Sequence, residues 1–403
     1  MMKSTITKPD LRFTEYNEDW IELKLSDFLT RYSETNKNEE FSVNEILSLS
    51  SHYGIVSRKD LLEDTYSNVN HLNYKKTRLN DFVYGKSISA SYPFGLFKVN
   101  DYKDGLLSTL YFTFKVKEKV YPKFLDCYFS HLNRTNNFLR KYVLVGDRYI
   151  TADADFLLSG TIYLPNHKEE QKKIAEFLIT IDTRLEQLKE KKELLEQYKK
   201  GITQKIFSQK LRFKDEDGKD FPDWEFKLGN KLFEPISNKN HNSDLPILAI
   251  SQEYGAVPRE MINYKISVTD KSVDSYKVVE IGDFIISLRS FQGGIEYSNY
   301  KGICSPAYII LRSKISINDY FFKTYFKTNN YIQALCSKLE GIRDGKMISY
   351  KYFSEIKLPC PSIQEQEKIS NFLNDIDQQI QLVTAQLKQT KKFKKGLLQK
   401  MFV

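Results

Sequence analysis

The chain has 403 residues, enough for two ordinary folding domains, and its formal net charge of +9 with 14% aromatic residues favours a polyanionic partner without identifying one. The four cysteines lie far apart, form no CxxC pair, and so indicate neither a zinc site nor a disulfide framework (Cys127, Cys304, Cys336, Cys360). The N-terminal segment lacks the apolar core of a signal peptide and no apolar run is long enough to cross a bilayer, so we expect a soluble, cytoplasmic protein.

A polar lead-in, residues 1–19, comes before Trp20. Its tripeptide Leu-Arg-Phe at residues 11–13 returns at residues 211–213, ahead of Trp224. Each of the two tryptophans therefore stands near the start of a related segment. We interpret both as structural residues that anchor the first strand of a domain.

The first domain is expected to span residues 1–163. It contains β-rich runs at residues 87–99 and 109–116 and a predicted helix at residues 121–142. This mixture predicts a mixed α/β domain.

A long helix is predicted over residues 164–208, opening on Leu164-Pro165, because proline is tolerated at or before a helix start. Apolar residues recur every seven positions from Ile174 to Ile202, which is the spacing of a coiled-coil seam. About 40 residues at 1.5 Å each give a helix of about 60 Å.

The same order returns in a second domain, residues 209–357, and a second long helix, residues 358–403, which opens on Leu358-Pro359. Residues 170–207 match residues 365–402 at 14 of 38 positions, so the helix is duplicated. Inside the domains a few landmarks recur in one order while the connecting loops differ. One fold used twice with different loops predicts two surfaces that bind related but different targets.

The predicted packing positions of the two helices are the apolar residues of the seven-residue columns and their neighbours. They are Ile174, Phe177, Ile181, Leu188, Leu195, Ile202, Ile369, Phe372, Ile376, Val383 and Leu397. Several seam positions are polar, which favours a spacer with one face left for partners over a tight zipper (Arg184, Lys191, Gln379, Gln386).

Catalytic and metal-binding patterns were sought and rejected. Residues 341–346 are one residue short of a phosphate loop, and Met347 stands where a magnesium-binding Ser or Thr is needed. The acidic residues and lysine at Asp10, Glu22 and Lys24 resemble a nuclease pattern, but the second repeat does not copy their spacing. The histidines form no i, i+4 pair, and no methyltransferase loop is present. We therefore expect neither catalysis nor a metal site in this chain.

Two divergent domains, each followed by a long helix, resemble the DNA-specificity (S) subunit of Type I restriction–modification systems. Each helix segment carries Leu-Pro, an acidic-Gln pair and an Ile-x-x-Phe-Leu-x-x-Ile-Asp run. The similarity is strongest at residues 171–182 and 366–377 and covers essentially the whole chain. It implies an α+β fold, with two pseudo-twofold-related mixed α/β target-recognition domains separated by two long antiparallel coiled-coil helices.

The resemblance also implies a function. Each domain would read one half of a bipartite, asymmetric double-stranded DNA site and so direct adenine-N6 methylation or restriction by partner subunits. The partners would be two modification (methyltransferase) subunits and restriction (translocase-nuclease) subunits, with no membrane. No cofactor is expected in this chain, since S-adenosylmethionine and ATP with Mg would lie on the partners.

Given that resemblance, the DNA-contact candidates are loop side chains that can bind phosphates or base edges. In the first domain they are Ser51, His52, Arg58, Lys75, Lys76, Arg78, Lys86, Ser87 and Arg148. In the second domain they are Gln252, Arg259, Lys277, Arg289, Ser290, Gln292, Arg343 and Lys346. Arg289 and Gln292 stand out because a β run leads there into a Gly-rich loop, which lets the backbone approach a groove.

Two other readings stay open at this point. The chain could be the recognition part of a combined nuclease-methyltransferase, which requires motifs that are missing here. It could instead be a coiled-coil scaffold that binds only protein, which the polar seam permits. The duplicated basic domains with divergent loops favour the specificity subunit over both.

Overall fold

The computed structural model describes residues 8–51, 53–61, 70–86, 89, 91–146, 150–242, 244–262, 273–337 and 348–403. The chain forms two compact units, Met1–Lys189 with Ala385–Val403, and Glu190–Thr384. Each unit contains one mixed α/β domain and one part of each long helix. The boundaries between the units thus fall within the two long helices, each of which was predicted as a separate segment.

The first domain is built from short strands and helices. Its strands are β1 Ile21–Lys24, β2 Leu29–Tyr32, β3 Leu47–Ser50, β4 Gly54–Ser57, β5 Lys75–Thr77, β6 Phe82–Gly85, β7 Leu96–Val99, β8 Gly105–Leu107, β9 Tyr111–Val116, β10 Val143–Val145, β11 Ile150–Ala152 and β12 Thr161–Leu164. Its helices are α1 Leu25–Phe28, α2 Arg58–Leu61, α3 Pro122–Phe129, α4 Leu132–Leu139 and α5 Ala154–Leu158, with 3-10 turns at Asn36–Asn38 and Val43–Glu45. The long helix α6, Lys168–Phe207, follows.

The second domain repeats this order. Its strands are β13 Glu225–Leu228, β14 Phe233–Ile236, β15 Leu248–Ser251, β16 Gly255–Pro258, β17 Lys277–Val279, β18 Phe284–Ile286, β19 Glu296–Tyr297, β20 Gly302–Cys304, β21 Ile309–Ser313 and β22 Lys357–Cys360. Its helices are α7 Gly229–Leu232, α8 Ser290–Gly293, α9 Asp319–Tyr325, α10 Asn329–Cys336 and α11 Tyr350–Ser354, with a 3-10 turn at Arg259–Met261. The second long helix is α12, Ile363–Lys400.

Most strands of the two domains correspond, although the pair β10-β11 of the first domain has no counterpart among the described strands of the second. A four-stranded antiparallel sheet has the order β2-β9-β6-β7 in the first domain and β14-β21-β18-β19 in the second. The antiparallel pairs β1-β12, β3-β4 and β5-β8 have the counterparts β13-β22, β15-β16 and β17-β20. Register is kept as well, since Phe82 faces Phe114 just as Phe284 faces Leu311. The duplicated mixed α/β fold is thereby confirmed.

Both tryptophans anchor a domain from within. Trp20, directly before β1, is buried against Phe124 and Phe402 at ring-centroid distances of 6.0 and 6.2 Å. Trp224, directly before β13, is buried against Phe321 at 5.9 Å. In the first unit the apolar core runs without interruption from the sheet into the long helices. The helices are therefore part of the core of each unit.

The helix predicted over residues 121–142 is two helices, α3 and α4. The break falls at Ser130 and His131, where the Ser130 hydroxyl donates to the Cys127 carbonyl at 2.7 Å. The His131 ring accepts from the Arg134 amide at 3.2 Å and caps the second helix. Side chains that bind the backbone in this way compete with helical hydrogen bonds and favour helix ends.

The long helices begin later than predicted. Leu164 closes strand β12, and Leu358-Pro359 lies inside strand β22. A proline is tolerated there because, among the described strands, β22 pairs with β13 alone, so one side of the strand needs no donor. Leu164 and Leu358 thus each belong to the last strand of a domain, and the long helix begins a few residues later.

The acidic-Gln pair at each helix start is buried and ties three segments together. Glu170 is fully buried and accepts two bonds from the Arg12 guanidinium, at 2.7 and 2.8 Å. Glu365 accepts the same pair of bonds from Arg212, at 3.2 and 2.9 Å. The neighbouring Gln171 accepts from the Tyr121 amide at 2.8 Å, directly before α3. The recurring Leu-Arg-Phe segment thus holds the start of each long helix by a bidentate ion pair.

Most of the predicted helix-packing residues are at least partly buried. Ile174, Ile181, Leu188, Ile369, Ile376, Val383 and Leu397 are buried, while Leu195, Ile202 and Phe372 are half-buried. Phe177 is the exception, because it is 36% exposed and packs edge-on against Phe13 at 5.9 Å. Its counterpart Phe372 meets Phe213 at 5.3 Å. These two rings hold the Leu-Arg-Phe segments on the helices. The polar seam residues are exposed (Arg184, Lys191, Gln379, Gln386).

The helices run antiparallel within each unit. In the first unit Asp182 forms an ion pair with Lys394, and Leu178 and Leu398 line one small cavity. In the second unit Asp377 pairs with Lys199 at 2.5 Å. Among the described residues, none of the helices combines the length and the apolar character that a bilayer crossing requires.

Candidate nucleic-acid interface

Three of the predicted contact residues of the second domain meet at one groove. Gln252, Arg259 and Arg289 line a cavity of about 620 Å³, bounded by the hairpin β15-β16 and the turn after β18. Its lining also includes Tyr254, which is 55% exposed, and Leu288. Two guanidinium groups beside an exposed aromatic ring suit a nucleic-acid surface, since arginine binds phosphates and guanine edges.

The turn that presents Arg289 is rigidly built. Its last residue, Gly294, has φ +81°, and a Cβ there would lie 2.0 Å from the Phe326 carbonyl oxygen, so only glycine fits. At its start the Ser290 hydroxyl accepts from the Ser287 amide at 2.9 Å. Arg289 is exposed between these two fixed points.

Two of the second-domain candidates support the turn. Ser290 is only 1% exposed, so its hydroxyl belongs to the loop structure and does not face a ligand. The Gln252 amide donates to the Arg289 carbonyl at 3.0 Å, and a Cβ on Gly293 would lie 2.5 Å from the Gln252 side chain. Gln252 is therefore a positioning residue for the Arg289 loop. Gln292 is exposed on α8.

A lysine at equivalent positions of both domains binds a backbone carbonyl. Lys277 donates to the Tyr308 carbonyl at 2.7 Å, and Lys75 donates to the Tyr111 carbonyl at 2.6 Å. Burial lowers the pKa of Lys277, and nearby Lys239 lowers it further. The pKa of Lys75 is lowered by burial and then by Arg31 and Lys86. Both amines keep donor capacity for an anion.

The first domain presents the matching hairpin. Ser51 is exposed at the tip of β3-β4, and Arg58 begins α2 with its amide donating to the Ile46 carbonyl at 3.0 Å. Arg259 makes the same backbone bond to Ile247. Tyr53 at the tip is 67% exposed, and Tyr254 at the equivalent position of the second domain is 55% exposed. These tyrosines are not among the DNA-contact candidates predicted from the sequence, although a tyrosine directly before a turn glycine recurs in both repeats.

Two first-domain candidates are already engaged within the fold. Lys76 is 5% exposed and pairs with Glu40 at 2.7 Å. Arg78 binds the other oxygen of Glu40 at 2.7 Å, and that hydrogen bond raises the pKa of Arg78. It also reaches Asp104 at 3.3 Å. This network argues against a direct DNA contact for Lys76 and leaves Arg78 largely neutralised by carboxylates.

Lys86 lies instead in a group of cations around the Phe112 ring. Its amine is 4.1 Å from the ring centroid, Lys75 is 5.3 Å away, and the Arg31 guanidinium is 5.6 Å away. Arg31 was missed from the sequence because only the pairing of β2 with β9 brings it to this place. Five further candidates lie outside the described residues: His52, Ser87, Arg148, Arg343 and Lys346.

A family model for the Type I restriction modification DNA specificity domain matches residues 17–197 and again residues 225–392. The chain belongs to this family. The resemblance, the two-domain fold and the role in DNA-sequence specificity are confirmed, and catalysis in such systems lies on partner subunits. The arginines of the groove and of the two hairpins thus lie in specificity domains.

Relatives agree with the family assignment. The chain is 28% identical over 298 residues to a protein from Methanocaldococcus jannaschii, and the match covers 70% of this chain and 67% of that protein. The name of that protein describes it as the specificity subunit of the type I restriction enzyme MjaX. The S subunit of a Type-I restriction-modification system from M. genitalium superposes with a TM-score of 0.58 at 17% identity, covering 98% of this chain and 99% of that one. A chain from work on complex assembly and conformational transition of the type I R-M system gives 0.50 at 18% identity, covering 95% and 97%. At these identities the two structures establish the shared fold.

Proposed function

We propose that each domain reads one half of a bipartite, asymmetric double-stranded DNA site. The observation that carries this proposal is that the domains share strand order and register but differ in the side chains at equivalent positions. Arg31, Lys86 and Phe112 of the first domain correspond in register to Pro235, Leu288 and Ile309. A common frame with different surface chemistry suits two half-sites of different sequence.

Within this proposal Arg289 is the strongest candidate for reading a base. Its guanidinium is exposed, its backbone is fixed by the Gln252 amide, and its charge is not matched by a carboxylate within 4 Å in the described part of the chain. A guanidinium held in this way can bind guanine O6 and N7 together. Arg58, Arg259, Gln292 and the two lysines that bind tyrosine carbonyls remain candidates for phosphate or base contacts.

The partners follow from the same proposal. Two modification subunits would supply S-adenosylmethionine and methylate adenine N6, and restriction subunits would supply translocation and cleavage driven by ATP with Mg. This chain would hold none of these cofactors. The proposal includes a cytoplasmic location, because the substrate is DNA. Family membership over both halves of the chain favours this function over a protein-only scaffold or a combined nuclease-methyltransferase.

Methylation mapping tests the proposed function. Genomic N6-methyladenine is read from cells that express the chain with its modification partner and from matched cells that lack only this chain. We expect a new motif of two unlike short half-sites separated by a fixed gap and methylated on both strands. An active modification partner that produces no motif dependent on this chain would contradict the proposal.

A further inference from the structure

The first domain contains a cationic cluster that no known role accounts for. Arg31 on β2, Lys75 at the start of β5 and Lys86 directly after β6 surround the ring of Phe112 on β9, which is only 7% exposed. The three cations lie 5.6, 5.3 and 4.1 Å from the ring centroid. An aromatic face attracts cations, and one ring thus holds three of them at one place.

Carboxylates do little to neutralise this cluster. Lys75 donates to a neutral carbonyl, and Lys86 has no carboxylate oxygen within 4 Å among the residues that the structure describes. Arg31 approaches Asp155 only at 3.9 Å, and the Asp155 side chain is 80% exposed to water. An exposed pair at that distance stabilises little.

The cations of the cluster repel one another, and this repulsion lowers the pKa of its lysines beyond the effect of burial. Burial is the largest cause that lowers the pKa of Lys86, and the positive charge of Arg31 lowers it further, against a smaller opposing effect of Asp153. Three like charges held close together without matching carboxylates favour a bound anion, because an anion removes both the repulsion and the unmatched charge.

The second domain does not repeat the cluster. Only Lys277, the counterpart of Lys75, is kept, while Pro235, Leu288 and Ile309 stand at the positions of Arg31, Lys86 and Phe112. The sheet frame therefore does not require these cations.

We propose that Arg31, Lys75 and Lys86 bind a backbone phosphate of DNA around Phe112, and that the second domain has no equivalent phosphate site. The inference rests on the proposed function, because it takes DNA as the partner. A phosphate oxygen accepts hydrogen bonds from both ammonium and guanidinium groups, and such contacts set affinity and position without reading sequence.

The test uses the full chain assembled with its modification subunits and a mixed-sequence duplex, whose binding needs no known recognition site. Affinity is measured by fluorescence anisotropy over a range of salt concentrations. Each phosphate contact contributes about 0.9 to the slope of log K against log salt, so Lys86→Gln and Arg31→Gln should each reduce the slope by up to about one. Lys86→Arg keeps the charge and should restore most of the slope.

Lys115→Gln is the matched control, because Lys115 is an exposed lysine on the same strand as Phe112 but outside the cluster. Equal slopes for Lys86→Gln and Lys115→Gln would overturn the phosphate site and leave the proposed function standing. Methylation mapping of the Lys86→Gln chain should return the wild-type motif, since a phosphate contact carries no base information. A changed motif would also overturn the phosphate assignment, whereas a wild-type chain that directs no motif would contradict the proposed function itself.

Discussion

A polar side chain can read a base only if the fold has not already used its polar atoms. Gln252 and Ser290 have side chains that could contact bases, yet both bind the backbone of the Arg289 loop. The Gln252 amide donates to the Arg289 carbonyl, and the Ser290 hydroxyl accepts from the Ser287 amide. Lys76 is similarly bound to Glu40. Arg289 differs, because the fold binds its backbone carbonyl and leaves the guanidinium exposed.

Replacing Arg289 with alanine should therefore relax recognition in one half-site only. The expected cost is about 1–3 kcal/mol on duplexes that carry the preferred base, with little loss on duplexes that lack it. Binding of the assembled complex to duplexes substituted position by position measures this difference. Lys231→Ala removes an exposed cation of the same domain outside the groove and should leave the preference unchanged. A loss of affinity that is equal on all sequences would make Arg289 a phosphate contact.

Secondary-structure elements were predictable from the sequence where their cause lies within one segment of the chain. They were not predictable where they depend on pairing with a distant segment. The long helices were predictable from their seven-residue apolar period and from their duplication, both of which are visible in the helix sequences alone. Their true starts at Lys168 and Ile363 were not predictable, because the preceding Leu164 and Leu358 belong to strands whose partners, β1 and β13, lie far away in sequence.

The same distinction between local and distant causes applies to the residues of the candidate site. The hairpin residues Ser51, Arg58 and Arg259 could be chosen as candidates because each hairpin is contiguous in sequence and recurs in the second repeat. Arg31 was missed because it comes near Lys86 only through the order β2-β9-β6 of the sheet. Burial of Lys76 could not be foreseen either, since it depends on Glu40 across 36 residues.

The apolar stripe of α6 makes a prediction at the level of the helix. Ile181 is 8% exposed and belongs to the core of the first unit, whereas Leu194 on the same helix is 58% exposed. Ile181→Asp places a carboxylate in an apolar core and should destabilise the fold by about 3 kcal/mol or more. Leu194→Asp should change stability by no more than about 0.5 kcal/mol. Denaturant unfolding followed by circular dichroism compares the two, and equal midpoints would show that this stripe does not stabilise the fold.

At the scale of the whole molecule, the two domains begin and end alike. Strands β1 and β12 close the first domain with Ile21 facing Leu164, and β13 and β22 close the second with Glu225 facing Cys360. Beyond each closing pair lie the same Arg-Glu ion pair and a long helix. Everything between these strand pairs can therefore be treated as one exchangeable module.

A chain in which residues 225–360 are replaced by a second copy of residues 21–164 should then recognise two identical half-sites. The helices and their ion pairs are retained, so assembly with the modification subunits should persist. The gap between the half-sites should remain close to that of the wild-type motif. Methylation mapping beside the wild-type chain measures the outcome: the half-site shared by both motifs belongs to the first domain, and the one that disappears belongs to the second. A correctly assembled hybrid that still methylates the original unlike pair would show that bases are read outside the exchanged module.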